Sequence, residues 1–522
     1  MTGLSLMKCY RFLFPLFTYA SLMSGSFDTE DLSLVSDLFE SGEAIFELAE
    51  SFRQKEAFTE ACYWYKTRLE KEPQETFQLW FSKWMLGRIF EKSGKHAEAI
   101  LWYMEACNEN PNRPEPFYDL CHFYRLQGAN HLSYLFGSEA RRILGRMEAK
   151  EPFYEGFHPT LLDLELSIIA FYTPYQEEGW IAANRLVLDP TFPFHWKNSV
   201  YNNLLFYTKT IEKVDEIRIY ANLPKIASHL SDRYYPLNPS IIRSEEGYFL
   251  LLRSVNYLQE GARNFHTEDI EGKFRTKNFL LELGKDFSLH SQVEIVENLL
   301  RKKYLGSLVD GLEDCRLIKN TEGFWFSCTT SDTNAQFLPK VSLCKLSLDL
   351  DQQPLFVRKF TTFSGFQEDR CEKNWLPFVR DDEIFFIYSF SPLLILKPDT
   401  DTGKCSLVTE QTLPKNLSNL RGSASPIPFH QGFLALTHEV VYKDDSTRCY
   451  LHRFVYMNRA YIVEKISKPF IFSHFGVEFC CGMTLNHEED TLVIPYGFED
   501  REARICLVGV DTVHAMLEDL ED

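Results

Sequence analysis

The sequence predicts a helical repeat solenoid followed by an all-β propeller of five small blades. Three observations carry this expectation: a repeat of 34 to 38 residues in the first part, a change of hydrophobic periodicity near residue 225, and a length of 522 residues. That length exceeds one ordinary core and suits two or three domains, each able to bury a sizeable interior. The expected division is 1–28 for a signal peptide or N-terminal extension, 29–225 for the helical part and 226–522 for the β part.

The repeat is visible residue by residue. Glu60-Ala61-Cys62-Tyr63-Trp64-Tyr65, closed by Pro73, aligns with Glu98-Ala99-Ile100-Leu101-Trp102-Tyr103, closed by Pro111, at an offset of 38. At an offset of 34, Leu86, Phe90 and Gly94 align with Leu120, Tyr124 and Gly128, while Ala99 and Ala106 align with Ser133 and Ala140. Glycine between paired amphipathic helices, small residues where helices cross and proline at the repeat end resemble tetratricopeptide repeats over residues 40–145. Leu162 to Leu186 and Trp196 to Tyr207 keep amphipathic spacing, which extends the solenoid to about residue 210.

Beyond residue 225 the period becomes 2. Phe324–Thr330, Val341–Leu348, Glu383–Phe390, Phe433–Val441, Tyr450–Met457, Thr491–Gly497 and Arg504–Val510 combine β-branched and aromatic residues. Turn formers such as Asp381-Asp382, Asp401-Thr402-Gly403 and Gln431-Gly432 separate many of them. Many short strands over nearly 300 residues suit five blades better than one sandwich.

Composition narrows the function. A formal charge of −19 provides no basic field for a phosphate backbone, which argues against nucleic-acid binding. Thirteen cysteines without CxxC or histidine-paired spacing indicate neither a zinc site nor a disulfide framework, so no metal is expected. Dispersed thiols suit a reducing compartment, whereas Lys8 and Arg11 before the apolar run Phe12 to Met23 and Ser24-Gly25-Ser26 have the pattern of a secretory signal. Both cytoplasmic and exported locations therefore stay open. No other stretch approaches the length of a membrane span. P-loop, dinucleotide, zincin and nucleophile-elbow motifs are missing from the sequence.

Polar clusters interrupt the β half where alternation does not require them. They include Arg253-Ser254-Val255-Asn256, Thr276-Lys277-Asn278, Gly311-Leu312-Glu313-Asp314-Cys315-Arg316, Glu372-Lys373-Asn374-Trp375, Arg421-Gly422-Ser423, His438-Glu439, Tyr450-Leu451-His452-Arg453 and Glu478-Phe479-Cys480. In a propeller, loops at one end of every blade converge on the centre, so one cluster per blade assembles a single pocket.

Gly-Leu-Glu-Asp-Cys-Arg at 311–316 resembles the Glu-Asp-Pro-Arg motif of glycoside hydrolase family 130, and the β half is similar to the related propellers of glycosyltransferase family 108. The resemblance covers about residues 235–510 and implies an inverting enzyme acting on β-mannosides, a phosphorylase or transferase, behind tetratricopeptide repeats of the glycosyltransferase-associated type. It implies that Asp314 is the general acid and that Arg316 binds an anion or orders the acid. Cys315 in place of proline departs from the motif and loosens the turn that aims Asp314.

Chemistry is compatible with those roles. Breaking a glycosidic bond needs an acid to protonate the leaving oxygen and an attacker on the opposite face of the sugar. Phosphate as attacker needs fixed cations or donors, for which Arg253, Lys373, Arg421 and His438 are candidates, with Asn256, Asn374 and Tyr450 as neutral donors. The same cluster could hold the diphosphate of a nucleotide-sugar, and no other cofactor is expected. Glu478 is a weaker candidate base, set beside Phe479 and two cysteines. The alternative is a non-catalytic scaffold, in which the repeats recruit a protein partner and the propeller binds glycan or protein.

Overall fold

The computed structural model describes residues 41–520 apart from 72–75, 148–151, 190–191, 193, 227–231, 261–263, 298–303, 305, 348–353, 365, 367–369, 414–416 and 443–447. The leader pattern at 1–28 lies outside the described residues. The chain groups into two compact units divided between Leu186 and Val187.

The first unit is helical. Helices α1 (Gly42–Gln54) and α2 (Phe58–Leu69), α3 (Thr76–Lys92) and α4 (His96–Glu109), and α5 (Glu115–Leu126) and α6 (Asn130–Leu144) pack as successive hairpins, followed by α7 (Pro159–Ile169) and α8 (Gln176–Leu188). In α1 the spacing of Ile45, Leu48, Ala49 and Phe52 places all four on one buried face. Gly94 and Gly128 end α3 and α5 with the same φ of +71°. The following amides reach back across the turn, Lys95 to the Phe90 carbonyl and Ala129 to the Tyr124 carbonyl, both at 2.9 Å. This cap needs a left-handed residue, which is why glycine recurs at a spacing of 34. Ala99, Ala106, Ser133 and Ala140 are fully buried at the helix crossings.

The second unit is mainly β. After α9 (Phe194–Tyr207) and the short strand β1 (Asp215–Arg218), the chain runs through four-stranded antiparallel meanders. The first is β2 (Tyr235–Arg243), β3 (Gly247–Val255), β4 (Phe274–Gly284) and β5 (Leu289–Val296). The second is β6 (Glu313–Asn320), β7 (Gly323–Thr330), β8 (Lys340–Leu346) and β9 (Leu355–Thr362). The third is β10 (Leu376–Arg380), β11 (Glu383–Phe390), β12 (Leu393–Pro398) and β13 (Cys405–Gln411). The fourth is β14 (Arg421–Phe429), β15 (Gly432–Tyr442), β16 (Arg448–Met457) and β17 (Val463–Ser467).

The last blade is β18 (Glu478–Phe479), β19 (Thr491–Phe498) and β20 (Glu502–Gly509), completed by β1 with Arg218 opposite Arg504. A strand from before the first blade thus closes the last one. Strand β2 meets both β6 and β19, β10 meets β6 and β14, and β16 meets β18, so the blades form a propeller-like, nearly closed ring. Phe326, Phe386, Phe390, Phe454 and Tyr496 are fully buried between the sheets.

Sequence periodicity sets the change of architecture at residue 225, yet α9 and β1 group with the second unit. The four-residue β1 is too short to display alternation, and α9 packs against β15.

Candidate active site

The inner strands are irregular where they approach the centre. Register slips occur between Leu237 and Ser240, between Glu313 and Arg316, and between Gly422 and Ala424. Asn238 and Asp314 sit in two of these bulges with φ of 47° and 50°, and Asn374, just before β10, has φ of 64°. A left-handed non-glycine residue costs roughly 1–2 kcal/mol, least for Asn and Asp. Three such residues at one centre mark a place where the fold holds strain to aim side chains.

Asp314 is gripped from the first blade. Arg253, 4% exposed at the end of β3, donates Nη1 to Asp314 Oδ1 at 2.6 Å. Its Nη2 reaches Glu313 Oε1 and, at 3.0 Å, Tyr257 Oη. Asn238 Nδ2 donates to the same Asp314 oxygen at 2.9 Å. Burial by itself pushes the Asp314 carboxyl up, but Arg253, the Asn238 bond, Arg316 and Lys373 together hold it below the usual range. Glu313 goes the other way, because burial and the neighbouring Asp314 charge outweigh Arg253 and Lys373.

Arg316 is 2% exposed and spent on the protein. Its Nε donates to the Ser423 carbonyl at 3.0 Å and Nη2 to the Gly422 carbonyl at 3.1 Å, both in the fourth blade. Nη2 also reaches Asn374 Oδ1 at 3.3 Å, and Nη1 the Asp314 carbonyl at 3.1 Å. This guanidinium ties three blades together and fixes two of the strained residues. Cys315 faces the interior, its Sγ near Asn278 Oδ1 and the Leu312 carbonyl, and Asn278 Nδ2 holds that carbonyl at 2.9 Å. A buried thiol and an asparagine thus brace the turn where the motif has proline.

The remaining expected site residues divide into two groups. The Lys373 and Arg421 side chains are exposed and make no hydrogen bond or ion pair among the described residues. Their charges reach the centre, since both contribute to the field on His438. His438 is 1% exposed and its Nδ1 lies 2.8 Å from Ser423 Oγ. Burial first, then His452, Arg421, Arg316 and Lys373, press its pKa far down, so it serves as a neutral partner and not as a cation. Tyr450, half-buried beside His438, has its phenol pushed up to about 12, chiefly by burial. Asn256 is elsewhere: its Oδ1 accepts from the Arg275 amide at 2.7 Å and its Nδ2 donates to the Lys273 carbonyl at 3.1 Å.

Trp375 is core, 3% exposed among Phe363, Phe386 and Tyr388, with Nε1 on Glu372 at 3.0 Å. Glu478 is fully buried and accepts the amides of Phe472, Ser473 and His474 at 2.7, 2.8 and 3.0 Å, which makes it a loop fastener. The structure adds two groups that sequence reading passed over. Asn238 is one. Asp500 is the other, left-handed with φ of 51°, its carboxyl raised to about 6 by burial against the pull of Arg253 and Arg448. Among the described residues no cluster of three His, Cys, Asp or Glu side chains could hold a metal ion.

No protein-family model matches the chain. A 65-residue stretch is 37% identical to Beta-mannosyltransferase 2 of Komagataella phaffii, covering 12% of this chain and 10% of that protein. A 250-residue stretch is 23% identical to Beta-mannosyltransferase 3 of Candida albicans, covering 44% of this chain and 41% of that protein. The chain thus spans about two-fifths or less of the length of these curated relatives. Among solved structures, the β-1,2-mannobiose phosphorylase of Listeria innocua with bound β-1,2-mannobiose superposes with a TM-score of 0.39 at 15% identity, over 58% of this chain and 99% of that one. A mannose phosphorylase of Leishmania mexicana in complex with phosphate gives 0.38 at 13% identity, over 63% and 98%.

Proposed function

We propose that the chain is an inverting glycosyl-transferring enzyme for mannose-like sugars, a mannosyltransferase or a mannoside phosphorylase, with Asp314 as its acid–base group. The observation that carries this is the strained Asp314 at the ring centre, gripped by Arg253 and Asn238, with the open cation Lys373 acting on it and Arg421 acting with Lys373 on His438. The sequence shared with two β-mannosyltransferases supports the sugar class.

In bond breaking, protonated Asp314 delivers its proton to the glycosidic oxygen as the C1–O bond breaks. A phosphate oxygen attacks C1 from the opposite face, and Asp314 is left as the carboxylate. In synthesis the steps reverse: carboxylate Asp314 takes the acceptor hydroxyl proton as that oxygen bonds to C1, and phosphate or nucleoside diphosphate leaves toward Lys373 and Arg421. The ionised resting state of Asp314 is the form the synthetic direction uses. The helical unit, read as tetratricopeptide repeats, docks the acceptor glycan or a partner protein.

Incubation with mannose 1-phosphate or GDP-mannose and a panel of mannoside acceptors tests this. A lengthened glycan is expected; folded protein without turnover across the panel contradicts it. A non-catalytic glycan-binding scaffold is the second reading, favoured by the commitment of Arg253 and Arg316 to protein partners, and it predicts sugar binding without turnover.

A further inference from the structure

We infer that Glu313 is a positioning residue that adjusts how readily Asp314 gives and takes its proton, acting through the one guanidinium the two carboxyls share; this rests on the glycosyl-transfer reading above.

Consecutive residues of a regular strand point to opposite faces of the sheet. Glu313 and Asp314 are consecutive at the start of β6, yet both reach Arg253, which donates Nη1 to Asp314 Oδ1 at 2.6 Å and Nη2 to Glu313 Oε1. The register accounts for this. Glu313 pairs with Thr329 and Arg316 with Ser327, so Asp314 and Cys315 together stand opposite Cys328 alone. That bulge, with Asp314 left-handed at φ of 50°, brings the second carboxyl round to the side of the first. Arg253 is 4% exposed, so the three charges act on one another through a poorly screened interior.

The two carboxyls are held unequally. Asp314 has a second donor in Asn238 Nδ2 at 2.9 Å, whereas the Nη2 that serves Glu313 also lies 3.0 Å from Tyr257 Oη. Lys373, ahead of β10, acts on both, Arg316 of β6 acts on Asp314, and Tyr257 after β3 and Asp500 after β19 act on Arg253 itself. As pH rises, the better-held Asp314 ionises first and Glu313, raised by burial, follows. Once Glu313 is ionised, two negative charges share one guanidinium and Asp314 becomes the stronger base. A stronger base accepts the acceptor proton more readily in synthesis. In cleavage it carries the proton at a pH where the carboxylate form dominates. With coupling of about one pH unit and a proton half transferred in the transition state, the gain in rate is about threefold.

Rates for wild type and Glu313→Gln between about pH 4.5 and 8, with mannose 1-phosphate or GDP-mannose and a mannoside acceptor, test the inference. Glutamine keeps the shape and an acceptor oxygen for Arg253 but never ionises. The wild type is expected to be about threefold faster at neutral pH, and the gap should close as pH falls and Glu313 takes its proton. A gap equal at every pH, or no gap at any, overturns the tuning role alone. Melting curves give a reading free of turnover. The folded Glu313 value lies above the unfolded one, so its ionisation costs stability as pH rises, and Glu313→Gln should gain melting temperature relative to wild type from about pH 4 to 7. Parallel melting profiles, or a variant that melts far below the wild type throughout, mark Glu313 as structural and overturn the role. A wild type without turnover at any pH overturns it together with the reading beneath it.

Discussion

Replacing Arg253 by methionine keeps most of the side-chain volume and removes the charge that pairs with Asp314 and Glu313. Breaking a buried ion pair typically costs about 3–5 kcal/mol. Here the two carboxylates keep 22% and 20% of their side-chain surface open, so the lower end, about 3 kcal/mol, is expected. The loss must depend on pH in a definite direction. In the wild type Asp314 is held below its ordinary value, so it contributes stability above the unfolded pKa that is lost as pH falls through the folded one. Without Arg253, burial dominates and the carboxyls sit above their unfolded values. The variant then weakens as pH rises through about 4 and upward, and recovers in acid. Melting curves at about pH 8 and pH 5 should show a deficit on the order of 5 °C or more at the higher pH and a smaller one at the lower. A deficit equal at both, or none, would refute the assignment of Arg253 as the partner that keeps Asp314 charged.

Other outcomes follow from the same geometry. Lys373→Ala and Arg421→Ala should each raise the phosphate or donor concentration for half-maximal rate about five- to tenfold with a smaller change in kcat, as loss of an exposed charge-assisted contact implies; a fall in kcat alone would argue against an anion subsite there. Asp500 has a folded value of about 6, above its unfolded one, so its ionisation costs stability as pH rises from about 4 to 6. Asp500→Asn should flatten the pH dependence of melting in that window, and an unchanged profile would remove Asp500 from the buried set. Gly94→Ala meets no atom within 4 Å but must keep φ of +71°, so pure backbone strain of about 1 kcal/mol is expected in equilibrium denaturation followed at the helical circular-dichroism band; no loss would mean that the turn relaxes.

Much of the architecture is legible because its causes are local. Gly94 and Gly128 announce their caps by spacing, and strands such as Glu383–Phe390 show in their β-branched and aromatic runs. The closing strand Asp215–Arg218 is not legible, since four residues carry no period and its partner lies near the other end of the chain. The candidate site divides similarly. Asp314 stands out through its motif, and Lys373 and Arg421 through residue type. Nothing local says that Arg316 would spend its donors on Ser423, Gly422 and Asn374, or that Asn256 would turn to Lys273 and Arg275. Asn238 and Asp500 escape notice because their importance comes from left-handed backbone at a bulge and a turn, which alternation does not encode.

On the proposed reading, Asp314 moves a proton in glycosyl transfer. Asp314→Asn keeps the size and the bond geometry toward Asn238 and Arg253 nearly intact but can neither deliver nor accept that proton. Rates with mannose 1-phosphate or GDP-mannose, measured beside melting curves for wild type and variant, separate chemistry from folding. A fall in turnover on the order of 10²–10⁴-fold is expected, with sugar binding retained. Unchanged turnover with a lowered melting temperature would contradict it and leave Asp314 as a structural residue of the bulge.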